Sequence, residues 1–349
     1  MNLQLDIPTL TNQFHYFPGT RYMGSKNKII GDLWKVLRTY EFESFYDAFA
    51  GSNIVGYFMK CQGKKVISND FMAMSYHTAN AIIENSFIQL EESEIDFLIN
   101  RDNSNNFISK KFKDLYFSDS DNHFLDQVRA NIELLDNKYK KSIALASLSR
   151  ACIKKRPRGI FTFVGHRYDD GRKDLRNSLK EHFINNVNIF NEAVFDNSLE
   201  NKSNNQLTQD MNVNADLVYL DPPYFSPKSD NDYVRRYHFL EGLVRNWEGL
   251  EIQENTKTKK FKSYKSPFSN KSEAYSEFEK LFNKFKDSII AVSYSSNSLP
   301  TKEELIDILK NFKKNVFVQE IDHTYSFGTQ SHKIGNENNR VKEYLFIAS

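Results

Sequence analysis

The strongest constraint on the fold is an alternation of strand, tight turn and helix near the start of the chain. A short apolar strand is predicted over Phe45–Phe49, followed by the small-residue turn Ala50–Asn53 and an apolar helix that begins at Ile54. A second strand is predicted over Lys65–Ser68, and a helix over about 72–85. Strands that alternate with helices in this way usually run parallel, with helices covering the sheet. The pattern therefore predicts the opening of a doubly wound α/β sheet.

The rest of the chain divides into a helical middle and a second sheet-forming part. Residues 80–205 are mostly helical by hydrophobic periodicity, with polar loops between the helices. Later strands are predicted at Ala215–Leu220, Ser288–Tyr294, Asn315–Ile321 and Lys342–Ile347, and further helices at Lys28–Leu37 and Lys302–Asn311. We therefore predict one α/β domain, formed by 1–79 and 206–349, with a helical insertion over 80–205. The Asn- and Lys-rich segment 197–214 is predicted to be a solvated loop.

Composition excludes several classes of protein. The 47 Lys and Arg residues nearly balance the 45 Asp and Glu residues, and the net charge of +2 excludes a histone-like polycation. Binding to nucleic acid would then require a local basic patch. A hydrophobic content of 40% excludes a largely disordered chain.

The sequence shows no pattern for secretion or for insertion into a membrane. Cys61 and Cys152 lie far apart and form neither a disulfide framework nor a metal-ligand cluster. Residues 1–10 hold no basic residue and no sustained apolar run, and the apolar run at 288–294 is far shorter than the ~20 residues of a membrane helix. We therefore expect a soluble cytoplasmic protein with no membrane partner and no metal site.

The turn after the first predicted strand has features of a ligand-binding turn. It begins at Asp47 and contains Gly51, and Asp70 follows at the end of the second predicted strand. A glycine lets the backbone approach a ligand closely, and an acid at the next strand end can accept hydrogen bonds from ribose hydroxyls. A single glycine is not the dinucleotide-binding pattern, and an ordinary strand–helix turn is equally compatible with these residues.

A second candidate site follows the predicted strand Ala215–Leu220. It consists of Asp221, Pro222, Pro223 and Tyr224. Two prolines remove consecutive backbone donors and stiffen the chain, so that a carboxylate, a free carbonyl and an aromatic face adjoin one space. This set suits a flat ring with an exocyclic amine, as in enzymes that flip a base out of a duplex. A proline turn that only ends the strand is the alternative.

Eight basic residues cluster in the predicted insertion: Lys154, Lys155, Arg156, Arg158, Arg167, Arg172, Lys173 and Arg176. A proline and several glycines interrupt this stretch and favour a loop or hairpin. Basic side chains can neutralise phosphates or read guanine edges, although a solvated loop has the same composition. The interleaved Phe161 and Phe163 can wedge into a base stack or pack the insertion's own core. We predict DNA contacts for Lys154, Arg156, Arg158, Arg167, Arg172 and Lys173.

Together these motifs resemble the adenine-specific DNA methyltransferases in which the cofactor motif precedes a DPPY catalytic motif, as in Dam-like enzymes. Arg21–Lys26 is similar to the N-terminal cofactor motif of that group, and Asp47–Gly51 to its F-x-G motif. Asp70 is similar to its acidic strand end, and Asp221–Tyr224 to its catalytic motif. The resemblance covers nearly the whole chain, with the motifs in the expected order.

The resemblance implies a Rossmann-like sheet that binds S-adenosylmethionine and methylates the exocyclic amine of adenine in duplex DNA. The implied cofactor residues are Tyr22, Lys26, Asp47, Phe49, Gly51, Asp70 and Asp221, with Asp70 on the ribose hydroxyls and Phe49 and Gly51 at the methionine end. The helical insertion would be the target-recognition region. A restriction endonuclease would be the functional partner, in a bacterial cytoplasm where DNA holds the enzyme at the nucleoid.

The implied chemistry needs little acid–base help and no metal. Methylation makes the amine cationic and therefore acidic, so its proton can leave late. An exposed Asp has a pKa of ~3.9, which is poorly matched to a strong base. Asp221 would mainly orient the lone pair of the amine by accepting hydrogen bonds, and positioning would supply most of the rate.

One position departs from the family pattern. The family often has F-x-G-x-G, whereas Asn53 stands at the second glycine of this chain. Asn tolerates a positive φ better than most residues, so the turn is expected to survive.

Two other functions remain compatible with these residues. One is methylation of adenine in RNA, against which the long insertion argues because reading a duplex needs extra recognition surface. The other is a non-catalytic DNA-binding relative, against which the intact Asp221–Tyr224 motif argues.

Overall fold

The computed structural model describes residues 12–165, 173–224, 232–264, 266–296, 298–324 and 340–349. These residues form one seven-stranded sheet in the order β3-β2-β1-β4-β5-β7-β6. The strands are β1 (Ser44–Asp47), β2 (Lys65–Asn69), β3 (Lys202–Asn204), β4 (Leu217–Leu220), β5 (Ile289–Ser295), β6 (Val316–Thr324) and β7 (Arg340–Ala348). Strands β1 to β5 pair in parallel, and β7 is antiparallel to both β5 and β6. The predicted α/β sheet is confirmed.

Strand β1 lies at the centre of the parallel part of the sheet. Its Phe45 pairs with Val66 of β2 on one side and with Leu217 of β4 on the other. The chain moves outward from β1 through β2 to β3, and outward in the other direction from β4 to β5. The strand order therefore reverses between β1 and β4, which is where open α/β sheets bind their ligands, beyond the carboxyl ends of the strands.

Helices cover both faces of this sheet. The α-helices in the described parts of the chain are α1 (Ile30–Leu37), α2 (Ile54–Cys61), α3 (Ala73–Ala79), α4 (Glu92–Asn100), α5 (Phe107–Lys111), α6 (Asp119–Ile132), α7 (Lys138–Lys155), α8 (Lys173–Arg176), α9 (Leu179–Ala193), α10 (Tyr233–Arg236), α11 (His238–Val244), α12 (Lys271–Lys284) and α13 (Lys302–Lys310). A π-helical turn, Asn80–Glu84, continues α3. Because side chains alternate along a strand, Phe45 enters one core while Tyr46 enters the other.

The helical middle of the chain shares a core with the sheet. Residues of α7 and α9 belong to the same buried cluster as Phe45 of β1 and Leu217 of β4. The prediction of a solvated loop over 197–214 was wrong for β3, because Lys202–Asn204 pairs with β2 at the edge of the sheet. The end of the predicted insertion therefore contains a strand of the sheet.

None of the helices in the described ranges is long and apolar enough to cross a membrane.

Candidate active site at the carboxyl ends of β1, β2 and β4

Three aspartates stand at the carboxyl ends of neighbouring strands. Asp47 ends β1, Asp70 follows β2 and Asp221 follows β4. All three are largely buried and line one pocket. Because parallel strands end at the same edge of a sheet, residues that are far apart in sequence meet here at the point where the strand order reverses.

The turn after β1 is held by Asp70. One carboxylate oxygen of Asp70 accepts a hydrogen bond from the Gly51 amide at 2.8 Å, and the other accepts one from the Met72 amide at 2.8 Å. Gly51 has a φ of +49°, and a Cβ there would lie 3.1 Å from the ring of Tyr22. The position therefore requires glycine, both for its backbone conformation and for its contact with Tyr22.

Asn53 has a structural role at the position where the family often has glycine. Its φ is +64°, which an asparagine adopts more readily than most residues. Its amide donates to the Ser75 carbonyl at 2.8 Å, and its carbonyl accepts from the Ser68 hydroxyl at 3.0 Å. Asn53 thereby ties the turn to β2 and to α3, so the turn keeps its shape without the second glycine.

Asp47 lies beneath this turn. Its Oδ2 accepts a hydrogen bond from the Gly56 amide of α2 at 3.1 Å. A Cβ on Gly56 would lie 3.3 Å from the same oxygen, so glycine allows this close approach of helix and strand. Burial and, to a smaller extent, the nearby carboxylates of Asp221 and Asp70 together raise the pKa of Asp47 to about 8.

Lys26 connects the start of the chain with the end of β4. Its ammonium donates to Asp221 Oδ1 at 2.8 Å and lies 3.2 Å from Glu343 Oε1 of β7. Lys26 and Glu343 are both almost fully buried. Burial raises the pKa of Asp221 to about 6; Lys26 acts to lower it and Glu343 to raise it. The corner beside Asp221 is therefore a buried cluster of one ammonium and two carboxyl groups.

Aromatic rings also border the pocket, and Tyr22 and Tyr233 line it. Tyr22 stacks on Tyr237 with 5.1 Å between ring centroids and on Tyr233 with 5.9 Å. The Tyr237 hydroxyl accepts a hydrogen bond from the Met23 amide at 2.9 Å, which holds the segment before Lys26 in place. Tyr224 lies at the end of the predicted catalytic motif, and its ring packs edge-on against Tyr294 of β5.

Every residue predicted to bind the cofactor lines this pocket: Tyr22, Lys26, Asp47, Phe49, Gly51, Asp70 and Asp221. Of the predicted catalytic motif, Asp221 and Pro223 also line it. The prediction did not include Tyr233 or Glu343. No local pattern marks Glu343, since it reaches Lys26 only through the pairing of β7 with β5. The described residues contain no group of His, Cys, Asp or Glu placed to hold a metal ion.

The position of Arg156 argues against the predicted contact with DNA. Its side chain is fully buried, and its guanidinium donates to the carbonyls of Ile160, Phe163 and Gly165. The same group lies over the rings of Phe163 and Tyr116. Arg156 therefore holds the loop that follows α7. A strongly basic stretch next to aromatic residues does not by itself tell which charges face solvent.

The other predicted DNA contacts have different positions. Lys154 lies in the last turn of α7, partly exposed, with its ammonium 3.9 Å from Asp174. Lys173 is exposed at the start of α8. Arg167, Arg172 and the side chain of Arg158 lie outside the described residues.

The fold and the site together define a class of protein. A mostly parallel sheet with β7 antiparallel between β5 and β6 is consistent with the fold of S-adenosylmethionine-dependent methyltransferases. The family model of the D12 class N6 adenine-specific DNA methyltransferases matches residues 22–308. The chain belongs to this family, and the resemblance predicted from its motifs is confirmed.

Several modification methylases are similar to the chain. Type II methyltransferase M2.HphI of Haemophilus parahaemolyticus is 30% identical, over 95% of this chain and 97% of that protein. Modification methylase StsI of Streptococcus sanguinis is 29% identical, over 84% of this chain and 46% of its own length. Modification methylase LlaI of Lactococcus lactis subsp. lactis is 26% identical, over 93% of this chain and 54% of its own length. The chain thus spans nearly all of the first relative and about half of the other two.

Proposed function

We propose that this chain transfers a methyl group from S-adenosylmethionine to the N6 amine of adenine in duplex DNA, as the modification enzyme of a restriction–modification system. The observation that carries the proposal is the meeting of Asp47, Asp70 and Asp221 in one pocket, with Lys26 bound to Asp221. Membership of the D12 family supports the target amine. The names of the related Type II and modification methylases support the biological role.

The residues of the pocket fit S-adenosylmethionine. Gly51 carries no Cβ, so its backbone can pack closely against the ring of Tyr22 at the edge of the pocket. Phe71 and Tyr22 supply apolar faces for a purine ring, and Asp70 stands where a ribose would reach the end of β2. Phe49 lines the pocket as well and stays the proposed contact of the methionine end. The cofactor supplies an activated methyl group on a positively charged sulfur.

The charges of the pocket also favour a cationic ligand. Burial raises the pKa of Asp47 to about 8 and that of Asp70 to about 7, so both carboxyl groups lose a proton reluctantly. A bound cation opposes this shift, because it stabilises the ionised carboxylates. A positive ligand therefore offsets part of the electrostatic cost of keeping Asp47 and Asp70 ionised in this buried pocket.

The proposed catalytic role of Asp221 is to orient the target amine. Lys26 holds Oδ1 of Asp221, so the carboxylate has a fixed direction before the base arrives. Pro222 and Pro223 carry no backbone N–H, which keeps competing donors away from the amine. Tyr224 would stack on the flipped base, while its packing against Tyr294 limits the motion of its ring.

We place target recognition in the helical insertion over 80–205. Lys154 and Lys173, which keep exposed surface, remain proposed DNA contacts, as do Arg158, Arg167 and Arg172. The proposed setting is a bacterial cytoplasm, with a restriction endonuclease as functional partner.

The test is methylation of unmethylated plasmid DNA by the purified chain with methyl-labelled S-adenosylmethionine, followed by nucleoside analysis. We expect N6-methyladenine at one recurring sequence, and none in single-stranded RNA of the same sequence. Label in RNA alone, or binding of duplex DNA without any transfer of label, would contradict the proposal. Sequencing modified adenines in host genomes with and without the gene, and challenging that DNA with the host's endonucleases, tests the biological role.

A further inference from the structure

Glu343 is an acid at a position where the strand pattern calls for an apolar residue. It lies on β7 opposite Ser295 of β5, and its neighbours on the same face of the strand are Leu345 and Ile347. Both neighbours are fully buried in the core that covers this face. Glu343 is equally buried, at 1% exposure. An ionised carboxylate at such a depth is costly unless it has charged or hydrogen-bonding partners.

Two partners of Glu343 lead directly to the active site. The Ser293 hydroxyl of β5 donates to Glu343 Oε1 at 2.8 Å. The same oxygen lies 3.2 Å from the ammonium of Lys26, which in turn donates to Asp221 at 2.8 Å. Glu343 thus contacts Lys26, which lines the pocket, but does not line the pocket itself.

We propose that Glu343 is a positioning residue for methyl transfer, which holds the ammonium of Lys26 in place and offsets its positive charge at Asp221. With all three groups ionised, one ammonium and two carboxylates leave the cluster with a net charge of −1. Without Glu343, the cluster is neutral, and Lys26 draws the charge of Asp221 away from the amine. The positive charge that develops on the amine during transfer is then less well stabilised.

This inference rests on the proposed function and adds a residue to it. The groups that face Asp221 from the surrounding elements are Lys26, Glu343, Asp47, Tyr219 and Tyr233. Lys26 and Glu343 act on the pKa of Asp221 in opposite directions. Their removal should therefore move the acidic limb of the pH–rate profile in opposite directions.

The experiment compares Glu343→Gln with Glu320→Gln on plasmid DNA at saturating S-adenosylmethionine. Glu320 is the matched control, because it also bridges two lysines, Lys302 and Lys342, but at the surface of the sheet. We expect Glu343→Gln to lower kcat about tenfold or more, with cofactor affinity within about twofold and an unchanged melting temperature. Glu320→Gln should match the parent in every assay.

The pH profile separates positioning from a merely structural role. Glu343→Gln should shift the acidic limb to lower pH, and Lys26→Met should shift it to higher pH. Shifts in the same direction, or no shift in Glu343→Gln despite a loss of activity, would overturn the proposal. So would full activity of Glu343→Gln.

A readout without activity keeps this test independent of the proposed function. Carboxyl ¹³C NMR, with the Asp221 signal assigned through Asp221→Asn, measures the pKa of Asp221 directly. A lower pKa in Glu343→Gln supports the positioning role even if no DNA substrate is methylated, which would refute only the proposed function. An unchanged pKa refutes the positioning role.

Discussion

The acidic pocket and the basic stretch at 154–176 are both regions where charged residues stand beside glycines, but the structure uses their charges in different ways. Asp47, Asp70 and Asp221 all line one pocket. In the basic stretch, Arg156 turns inward to the carbonyls of its own loop, while Lys173 is exposed. The charged residues of the pocket therefore all face one site, whereas those of the basic stretch differ in whether they are buried or exposed.

The difference comes from the elements that carry the charges. A residue at the carboxyl end of a parallel strand has its position set by the sheet, because the neighbouring strands end at the same edge. A residue in a loop after a helix can satisfy the loop's own carbonyls, and the long side chain of arginine reaches several of them at once. Charge at a strand end therefore predicts a site better than charge in a loop does.

The largest expected effect is on catalysis at the strand end. Asp221→Asn should lower kcat by about 10³-fold, since the amine loses its charged acceptor, while cofactor affinity changes only several-fold. Asp216→Asn, just before the start of β4, is the matched control. The carboxylate of Asp216 accepts hydrogen bonds from the Glu43 and Ser44 amides and from the Ser44 hydroxyl, and it does not line the pocket. Single-turnover methylation and calorimetry measure the two quantities. Loss of cofactor binding together with activity would place Asp221 on the cofactor instead.

Arg156 tests the other half of the comparison. Arg156→Ala leaves three loop carbonyls without their charged donor, so the free energy of unfolding should fall by about 3 kcal/mol. Lys154→Ala, two residues earlier and partly exposed, should change it by less than about 0.5 kcal/mol. Denaturant melts of both variants provide the measurement. An unchanged free energy of unfolding in Arg156→Ala, together with weaker DNA binding, would show that Arg156 contacts DNA instead.

Asp70 should contribute to cofactor affinity. Asp70→Asn is expected to weaken S-adenosylmethionine binding by about 1.5–3 kcal/mol, the usual contribution of a hydrogen bond to a charged group. Part of that loss would come from the turn, since Asp70 also accepts from the Gly51 amide. Calorimetry on the variant, with Asp216→Asn beside it, gives the comparison. An unchanged dissociation constant would mean that Asp70 stabilises the turn at Gly51 and does not bind the cofactor.

The raised pKa values in the pocket predict a pH dependence of cofactor binding. Asp47 and Asp70 have pKa values raised to about 8 and about 7, so lowering the pH through that range protonates both. A cationic ligand favours the ionised forms, and its affinity should therefore fall severalfold from about pH 8.5 to 6.5. Calorimetry in buffers of different ionisation enthalpy should detect proton release on binding near pH 7. Binding without proton release would show that the charge of the ligand does not change the ionisation of Asp47 and Asp70.

The smallest effect is expected for an exposed lysine of the basic stretch. If Lys173 contacts a phosphate, Lys173→Ala should weaken binding to every duplex and reduce the salt slope by about 0.9. Lys310→Ala removes an exposed lysine from α13, on the side of the sheet away from the insertion, and should leave the slope unchanged. Fluorescence anisotropy over a salt series measures both variants. Equal slopes in Lys173→Ala and the parent would remove Lys173 from the interface.

The sequence alone predicted the features that depend on local order. The periodicity of Lys65–Ser68 and Ala215–Leu220 predicted β2 and β4 to within about two residues. Aspartates next to those strands and a glycine in the turn after β1 predicted the pocket, because strand ends and tight turns have positions that follow from the immediate neighbours in the chain. The family followed from the order of these motifs, and the family model matches it.

Tertiary structure alone decided which distant side chains meet. Glu343 reaches Lys26 because β7 pairs antiparallel with β5, and Arg156 is buried because its loop folds back over Tyr116. Lys202–Asn204 became a strand because β2 offered it an open edge. None of these outcomes has a local signal. Strand pairing and side-chain burial depend on contacts between segments far apart in sequence, and their energies are settled only when the whole sheet has formed.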